Sequence, residues 1–451
     1  MEKYIIEGGT PLSGVLSIGA SKNSILPLLA ASILTSEPVT IKNPPLIGDF
    51  FVMVEIMKEM GCEVAFDKES ITINSSNCCK FEISKTLAKE LRSSIFLMGS
   101  ILARFKKAVL AYPGGCDIGL RPIDLHISGL KSLGVEFIEE GGNIFADGSF
   151  MRGNHVILDF PSVGATENII MAGTLAKGET IIENPAKEPE IIDLINFINS
   201  MGGNINVTRD CKIHITGVEK LHGTTFSPIP DRIVAGTYLI SAAMTGGEIE
   251  LLGVKPEHIA SLLTKLRETA CKIRCVHDRI YLKAPTKLKS LRQISTSPYP
   301  GFPTDMQPQM MALLSVASGM AMVEEKMFET RFRHAQELKK MGADITVKDR
   351  TAIVCGVDRL KGAEVFAYDL RGGACMVLAG LVAEGVTTVY DIKHIARGYA
   401  NLDFDLTSLG AKIKREVEYE KQKNIICSEY NHSNSIGGTA SSMFAFPSEE
   451  F

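Results

Sequence analysis

Between Tyr112 and Ile127 the chain reads Tyr-Pro-Gly-Gly-Cys-Asp-Ile-Gly-Leu-Arg-Pro-Ile-Asp-Leu-His-Ile, a stretch that sets one thiol, Cys116, among residues resisting regular structure. Pro113 lacks a backbone donor, and Gly114, Gly115 and Gly119 have too much conformational freedom for a regular helix or a central strand. The stretch is therefore expected to be an exposed, mobile loop. Arg121 lies five residues after the thiol, and Pro122 followed by Ile123, Leu125, Ile127 and Leu130 predicts a helix beginning there. A helix N-terminus and an arginine both favour thiolate, so Cys116 is a candidate reactive thiol. The alternative is a small apolar residue, the ordinary role of a cysteine inside a cell.

Basic residues recur where helices are expected to start. Lys22, in Gly19-Ala20-Ser21-Lys22-Asn23, stands at a strand-to-helix junction, a place where anions are held, although a lysine there is also an ordinary solvated flank. Arg92, Arg121, Arg232, Arg331, Arg371 and Arg397 all fall at or beside a predicted helix start. That is the unfavourable end of the helix dipole for a cation. Singly each arginine reads as a surface residue; together they predict a densely anionic ligand carrying phosphate and carboxylate. Asp305 follows the proline-rich turn Tyr299-Pro300-Gly301-Phe302-Pro303-Thr304 and opens an apolar helix. It is either an N-cap or first-turn residue, or a general base facing a hydroxyl. Pro161 to Asn168 forms another small-residue turn into a buried helix, able to admit a ligand or merely to cap.

The elements that must position these groups repeat. A helix ending in an apolar residue, then Gly, then a short strand recurs at Gly61, Gly134, Gly202, Gly342 and Gly410, with Ala270 in place of Gly in the fourth of the six copies, at separations of 68 to 73 residues. Glycine closes a helix against a following strand because it tolerates the left-handed conformation. Each unit also holds a second helix, apolar nearly all round and so expected to be buried: 24–34, 91–105, 166–176, 232–244, 306–319 and 372–383. A unit of two such helices with two or more short strands cannot bury its own apolar faces. The period of about 70 exceeds the 20–50 of solenoids, which predicts two globular groups of three units with a site in the cleft between them. After Glu420 the pattern stops, and the polar run from Asn431 to Ser442 predicts a disordered tail over 419–451.

Composition narrows the partners. The 451 residues suffice for two or more domains, and 48 basic against 52 acidic residues, interspersed to a net charge of −4, leave no footprint for nucleic acid or an anionic membrane. Ten cysteines without regular spacing or a Cys-x-x-Cys pair predict neither a disulfide framework nor a zinc site. No apolar run reaches the roughly 18 residues of a membrane span, and Met1-Glu2-Lys3-Tyr4 has no secretory pattern. The expectation is a soluble cytoplasmic protein acting on small molecules.

Ten separated motifs, in order and at family spacing, carry a resemblance. They are Lys22-Asn23, Leu91-Arg92-Ser93-Ser94, Pro113 to Ile127, Pro161 to Asn168, Glu183-Asn184 with Lys187 to Ile191, Asp231-Arg232, Tyr299 to Gln309, Phe328-Glu329 with Arg331-Phe332, Asp369 to Gly373, and Ala396 to Tyr399. Through them residues 1 to about 418 resemble the UDP-N-acetylglucosamine 1-carboxyvinyltransferase family. The resemblance implies an α/β fold, a two-domain inside-out α/β barrel of six βαβαββ-type units in two pseudo-threefold lobes. It implies one lobe of residues 1–20 plus 230–418 and another of 21–229 carrying the Cys116 loop. The implied reaction moves the enolpyruvyl group of phosphoenolpyruvate to the 3'-hydroxyl of UDP-N-acetylglucosamine with release of phosphate, the first committed step toward peptidoglycan. No metal or organic cofactor is implied.

Carried over by position, Cys116 resembles the proton donor to the phosphoenolpyruvate methylene carbon, and Asp305 the acceptor of the sugar hydroxyl proton. Lys22, Asn23, Arg121, Arg331, Arg371 and Arg397 resemble phosphoenolpyruvate contacts. Asn23, Arg92, Arg121, Pro122, Ile123, Asp124, Leu125, Ser162, Val163, Gly164, Asp305 and Met327 resemble contacts of the UDP-sugar. Gly19-Ala20-Ser21 and Thr330 depart from the common pattern without removing a chemical group. Two alternatives stand beside this reading: a catalytically idle paralogue that binds the UDP-sugar, and a 5-enolpyruvylshikimate-3-phosphate synthase-like transferase, which would lack the cysteine loop.

Overall fold

A computed structural model of the chain describes residues 2–112, 119 and 122–417. Its helices are α1 (Lys22–Ala31), α2 (Gly48–Glu59), α3 (Lys85–Glu90), α4 (Leu97–Phe105), α5 (Asp124–Ser132), α6 (Val163–Thr174) and α7 (Pro189–Ser200). The second half adds α8 (Arg232–Met244), α9 (Ala260–Glu268), α10 (Gln307–Val316), α11 (His334–Lys340), α12 (Leu370–Val382), α13 (Lys393–Ala396) and α14 (Leu402–Ser408). The mixed α/β character expected from the sequence is present in every repeat.

All six helix–strand junctions form where the spacing placed them. α2, α5, α7, α9, α11 and α14 each end one or two residues before a positive-φ residue and a strand. The glycines at 61, 134, 202, 342 and 410 have φ between 90° and 101°. Ala270 takes the same left-handed turn at φ 73°, so the geometry outlasts the loss of glycine.

Each unit's strands build a small sheet, and the described residues contain five four-stranded sheets and one of three strands. In the first, Val39–Lys42 pairs antiparallel with Ser70–Asn74, which pairs antiparallel with Glu63–Asp67. Thr225–Phe226 adds a parallel edge. Val39, Ile41, Ile71 and Ile73 face inward and are fully buried, the period of two that a one-sided sheet requires. In the three-stranded sheet the parallel edge shrinks to a single bridge between Glu82 and Val109.

The apolar helices gather into two separate hydrophobic cores, one drawn from residues 25–221 and the other from residues 4–12 and 233–411. At the centre of the first, α4 packs on α1 and α6; in the second, α8, α10 and α12 pack on one another. Close approach needs small residues: a Cβ on Gly99 would collide with the Asn168 carbonyl of α6. The N-terminal strands join the later half. Glu2–Glu7 lies between Val386–Tyr390 and Lys412–Val417, and Ser13–Ser17 runs parallel to Glu248–Leu252. The chain passes between the cores twice, side by side, where Ala20 bridges Pro230, the Ser21 amide donates to the Ile229 carbonyl at 2.8 Å and the Asp231 amide to the Gly19 carbonyl at 2.9 Å.

Candidate active site

Lys22 is not a solvated flank. It opens α1 itself, its side chain is 12% exposed, and its Nζ lies 2.8 Å from Oδ2 of Asp49. Asp49, in the first turn of α2, also receives Nε of Arg397 at 2.8 Å and a second guanidinium nitrogen at 3.3 Å. One carboxylate from the first core thus holds a lysine of its own core and an arginine of the other. Burial pushes the Asp49 carboxyl up, but the Lys22 and Arg397 charges outweigh it and hold it below the usual carboxylate range. Burial depresses the Lys22 amine, with Asp49 opposing and Arg371 and Arg397 adding to the fall. The charges of Arg371 and Arg397 are thus both felt at Lys22. Asn23 follows in the first turn of α1, partly buried.

Asp305 is the second such carboxylate. It lies in a 3₁₀ turn, Thr304–Met306, rather than capping a helix. Its Oδ1 accepts from Arg331 at 3.0 Å, and its Oδ2 accepts Nε and a terminal nitrogen of Arg371 at 3.2 and 3.1 Å. Both guanidinium groups are nearly inaccessible, at 2% and 3%, while Asp305 keeps 28% of its surface open. An acid that keeps part of its surface open while two buried cations hold its oxygens is available to a further partner. Glu325, fully buried, fixes its surroundings by accepting from Thr304 and Thr296 hydroxyls at 3.0 and 2.8 Å and from the Met327 amide at 2.9 Å. It ties Met327, an expected sugar contact, to the same turn.

The arginine pattern needs correcting in two ways. Arg397 caps the C-terminus of α13, the favourable end for a cation, and Arg331 lies in a turn three residues ahead of α11. Arg232 and Arg371 do open helices, α8 and α12, but Asp231 and Asp369 cap those helices through their side chains. Glu190 also takes Nε of Arg232 at 2.9 Å. The protein's own carboxylates offset much of the charge that the sequence assigned to a ligand alone.

Arg92 begins a 3₁₀ turn, Arg92–Phe96, and its charge helps depress His126, whose burial lowers the imidazole to about 4. Ser162 caps α6 through its hydroxyl, and Val163 and Gly164 form the first turn. A Cβ on Gly164 would lie 2.8 Å from the His126 ring, so a side chain there would displace it. The expected helix near Pro122 starts two residues later, at Asp124, with Ile123 as its cap and Leu125 inside it. A cavity of about 820 Å³ opens beside Pro122, Ile123 and Asp124, lined by neither Lys22 nor Asp305. Cys116 and Arg121 lie outside the described residues, as does the tail after 417. Gly119 is described. A Cβ on it would lie 2.6 Å from the Glu329 carboxylate and 3.7 Å from the Phe328 side chain, both on the segment that leads to the other core's α11.

The sequence reading gave no role to Asp49, Glu190 or Glu325. Asp49 follows Gly48 at a helix start and looks like a routine first-turn acid, and only the fold brings two cations to it. Among the described residues no group of three His, Cys, Asp or Glu side chains is disposed to hold a metal, and no helix is long and apolar enough to cross a membrane.

A family model described as EPSP synthase (3-phosphoshikimate 1-carboxyvinyltransferase) matches residues 6–406. UDP-N-acetylglucosamine 1-carboxyvinyltransferase 2 of Caldanaerobacter subterraneus subsp. tengcongensis is 50% identical over 415 residues, covering 92% of this chain and 100% of the relative. The enzyme 1 of that name from Clostridium perfringens is 45% identical over 421 residues, again covering 92% and 100%. Among solved structures, the enolpyruvyl transferase NikO from Streptomyces tendae superposes with a TM-score of 0.82 at 24% identity, covering 92% of this chain and 98% of that one. EPSP synthase from Acinetobacter baumannii superposes at 0.70 and 18% identity, covering 92% and 100%. These two likenesses establish a shared fold.

Proposed function

Because the chain belongs to the UDP-N-acetylglucosamine 1-carboxyvinyltransferase family, we propose that it transfers the enolpyruvyl group of phosphoenolpyruvate to the 3'-hydroxyl of UDP-N-acetylglucosamine, releasing phosphate, as the first committed step of peptidoglycan synthesis. The observation that carries this reading is identity of 50% along essentially the whole of a relative of that name. The clustering of Lys22, Arg331, Arg371 and Arg397 around two carboxylates supports it.

In this reading the two cores are the centres of two lobes, 1–20 plus 230–418 and 21–229, in an inside-out barrel arrangement, and the substrates bind between them. Lys22, Arg121 and Arg397 hold the phosphate of phosphoenolpyruvate, with Asn23, Arg331 and Arg371 completing its anionic surroundings. Arg92, Arg121, Pro122 to Leu125, Ser162 to Gly164, Asn23, Asp305 and Met327 receive the UDP-sugar. Cys116 gives its proton to the methylene carbon, and C2 becomes oxocarbenium-like. The sugar oxygen bonds to C2 while Asp305 takes the hydroxyl proton. Return of a methyl proton to the Cys116 thiolate, as the C2–O bond to phosphate breaks and phosphate leaves, restores the enol ether. The buried guanidinium groups stabilise phosphate charge without reorganising, since they are already fixed by carboxylates. A cytoplasmic location belongs to the same proposal, because both substrates are charged intracellular metabolites.

Mixing the full chain with both substrates should release phosphate and form enolpyruvyl-UDP-sugar. UDP-sugar binding without phosphate release would replace this reading with an idle binding module, and release only with shikimate 3-phosphate would point to the sister reaction. The Cys116 role has its own readout. Fosfomycin should alkylate that thiol in the presence of the sugar nucleotide, seen by mass spectrometry, and Cys116→Asp should stay active while resisting the drug. An unmodified Cys116, or a folded but inactive Asp variant, would remove the thiol from the mechanism.

A further inference from the structure

One buried cluster remains outside the mechanism. Glu188 holds the N-cap position of α7 without capping it through its side chain, and Glu190 lies in the first turn, both on the core of residues 25–221. Each reaches across to the other core. Oε1 of Glu190 accepts Nε of Arg232 at 2.9 Å, with the two side chains only 2% and 9% exposed. Oε1 of Glu188 accepts the backbone amide of Tyr299 at 3.3 Å. The Arg232 guanidinium lies over the Tyr299 ring, 5.8 Å from its centroid, and the Tyr299 hydroxyl donates to the Glu257 carbonyl at 3.2 Å. Tyr299 begins the turn that delivers Asp305. That turn is tight: Gly301 donates to the Pro298 carbonyl at 2.9 Å, Ser297 to the Phe302 carbonyl at 3.0 Å, and Met306 to the Pro303 carbonyl at 3.0 Å. These bonds run along the segment between Tyr299 and Asp305 and are the path by which a shift at Tyr299 would reach Asp305.

We propose that Glu190, acting through Arg232, and Glu188, acting through the Tyr299 amide, are positioning residues that set Asp305 from the opposite core. The inference rests on Asp305 being the base of the reaction proposed above. It makes the placement of that base depend on how the two halves meet, since α7 moves with the first core and the turn with the second. Burial lowers the Arg232 guanidinium, but attraction to Glu190 and Glu188, with the charge of Asp305 adding to it, outweighs that and raises it.

Steady-state kinetics of the full chain would test this. E190Q and R232Q should each lower kcat on the order of tenfold with both KM values within about twofold, the pattern of a lost transition-state alignment. The double variant should be no worse than either single, because both remove one device. E188A should lower kcat similarly, whereas E188Q, whose amide oxygen still accepts from the Tyr299 N–H, should retain it. A purely stabilising role would shift melting temperature and leave kcat alone. Unchanged kcat in folded variants, losses that multiply in the double variant, or an effect confined to KM would overturn the proposal. If E190Q does not fold, the E188A and E188Q pair still decides it. Wild-type turnover is the control: if wild type releases no phosphate, the reaction assignment fails, and if it turns over while every variant matches it, only this inference fails.

Discussion

Asp49 and Asp305 look alike on paper, each a carboxylate between two cations, yet the fold uses them differently. Asp49 is 5% exposed and joins Lys22 of its own core to Arg397 of the other; Asp305 is 28% exposed and both its arginines come from its own core. A carboxylate that is itself buried, and whose partners come from both halves, acts as a counter-ion holding a cation pair ready. A carboxylate that keeps part of its surface open while its cations are buried fits the proposed role of a group presented to a substrate. Charge count alone does not separate these roles; which member of the cluster meets solvent does.

The largest expected effect falls on the presented group. Asp305→Asn should lower kcat by about 10³, within the range of a lost general base. Asp49→Asn should act on stability instead. Removing Asp49 leaves Lys22 and Arg397 facing each other; with the Arg397 side chain 38% exposed, solvent screens part of that repulsion and the cost is about 1–2 kcal/mol. Phosphate should then raise the melting temperature of this variant more than the wild type's, by replacing the missing negative charge. A phosphate response no larger than the wild type's would erase the distinction.

Glu167 sharpens the comparison by omission, being a carboxylate without a cation. It is fully buried in α6, and among the described residues neither oxygen has a hydrogen-bond partner. Burial first, then repulsion from Glu190 and Glu188, pushes its carboxyl well above the usual value of 4.5. The folded state therefore binds this proton more tightly than the unfolded chain does. Its contribution is fully present below about pH 4.5 and is lost as pH rises toward the folded-state value. Glu167→Gln carries no ionisable group, so it should match wild type near pH 4.5 and exceed it at pH 8 by about 1–2 kcal/mol, read from denaturant midpoints. A variant no more stable at pH 8 than at pH 4.5, relative to wild type, would mean that Glu167 is compensated.

These three carboxylates also mark where sequence reading stops. The sixfold repeat was legible because it rests on local rules: an apolar helix face and a left-handed residue at a fixed place. The cations were legible because Lys22 and the arginines sit conspicuously at element ends. Their partners were not. Lys22 meets Asp49 across 27 residues, Arg397 meets it across 348, and Arg232 meets Glu190 across 42, so no local pattern links them. Reading the arginines as a demand for ligand overlooked that Asp231 and Asp369, one and two residues upstream, already serve their helices. The Cys116 loop, where the sequence was most suggestive, lies outside the described residues.

The smallest effect concerns the scaffold. Five of the six helix ends turn through glycine at φ near 95°, where an L side chain is strained, and the sixth does so through Ala270 at 73°. Left-handed alanine costs about 1 kcal/mol, while glycine's greater freedom in the unfolded chain returns roughly half of that. Ala270→Gly should therefore stabilise by about 0.5 kcal/mol and raise the melting temperature by about 1 °C. The reverse change is cleanest at Gly342, where an added Cβ would meet nothing within 4 Å, so that only the backbone conformation is tested. Gly342→Ala should cost about 0.5–1 kcal/mol with kcat unchanged. A loss of kcat there would mean that the junctions do more than close helices, because an added Cβ at Gly342 touches no other side chain.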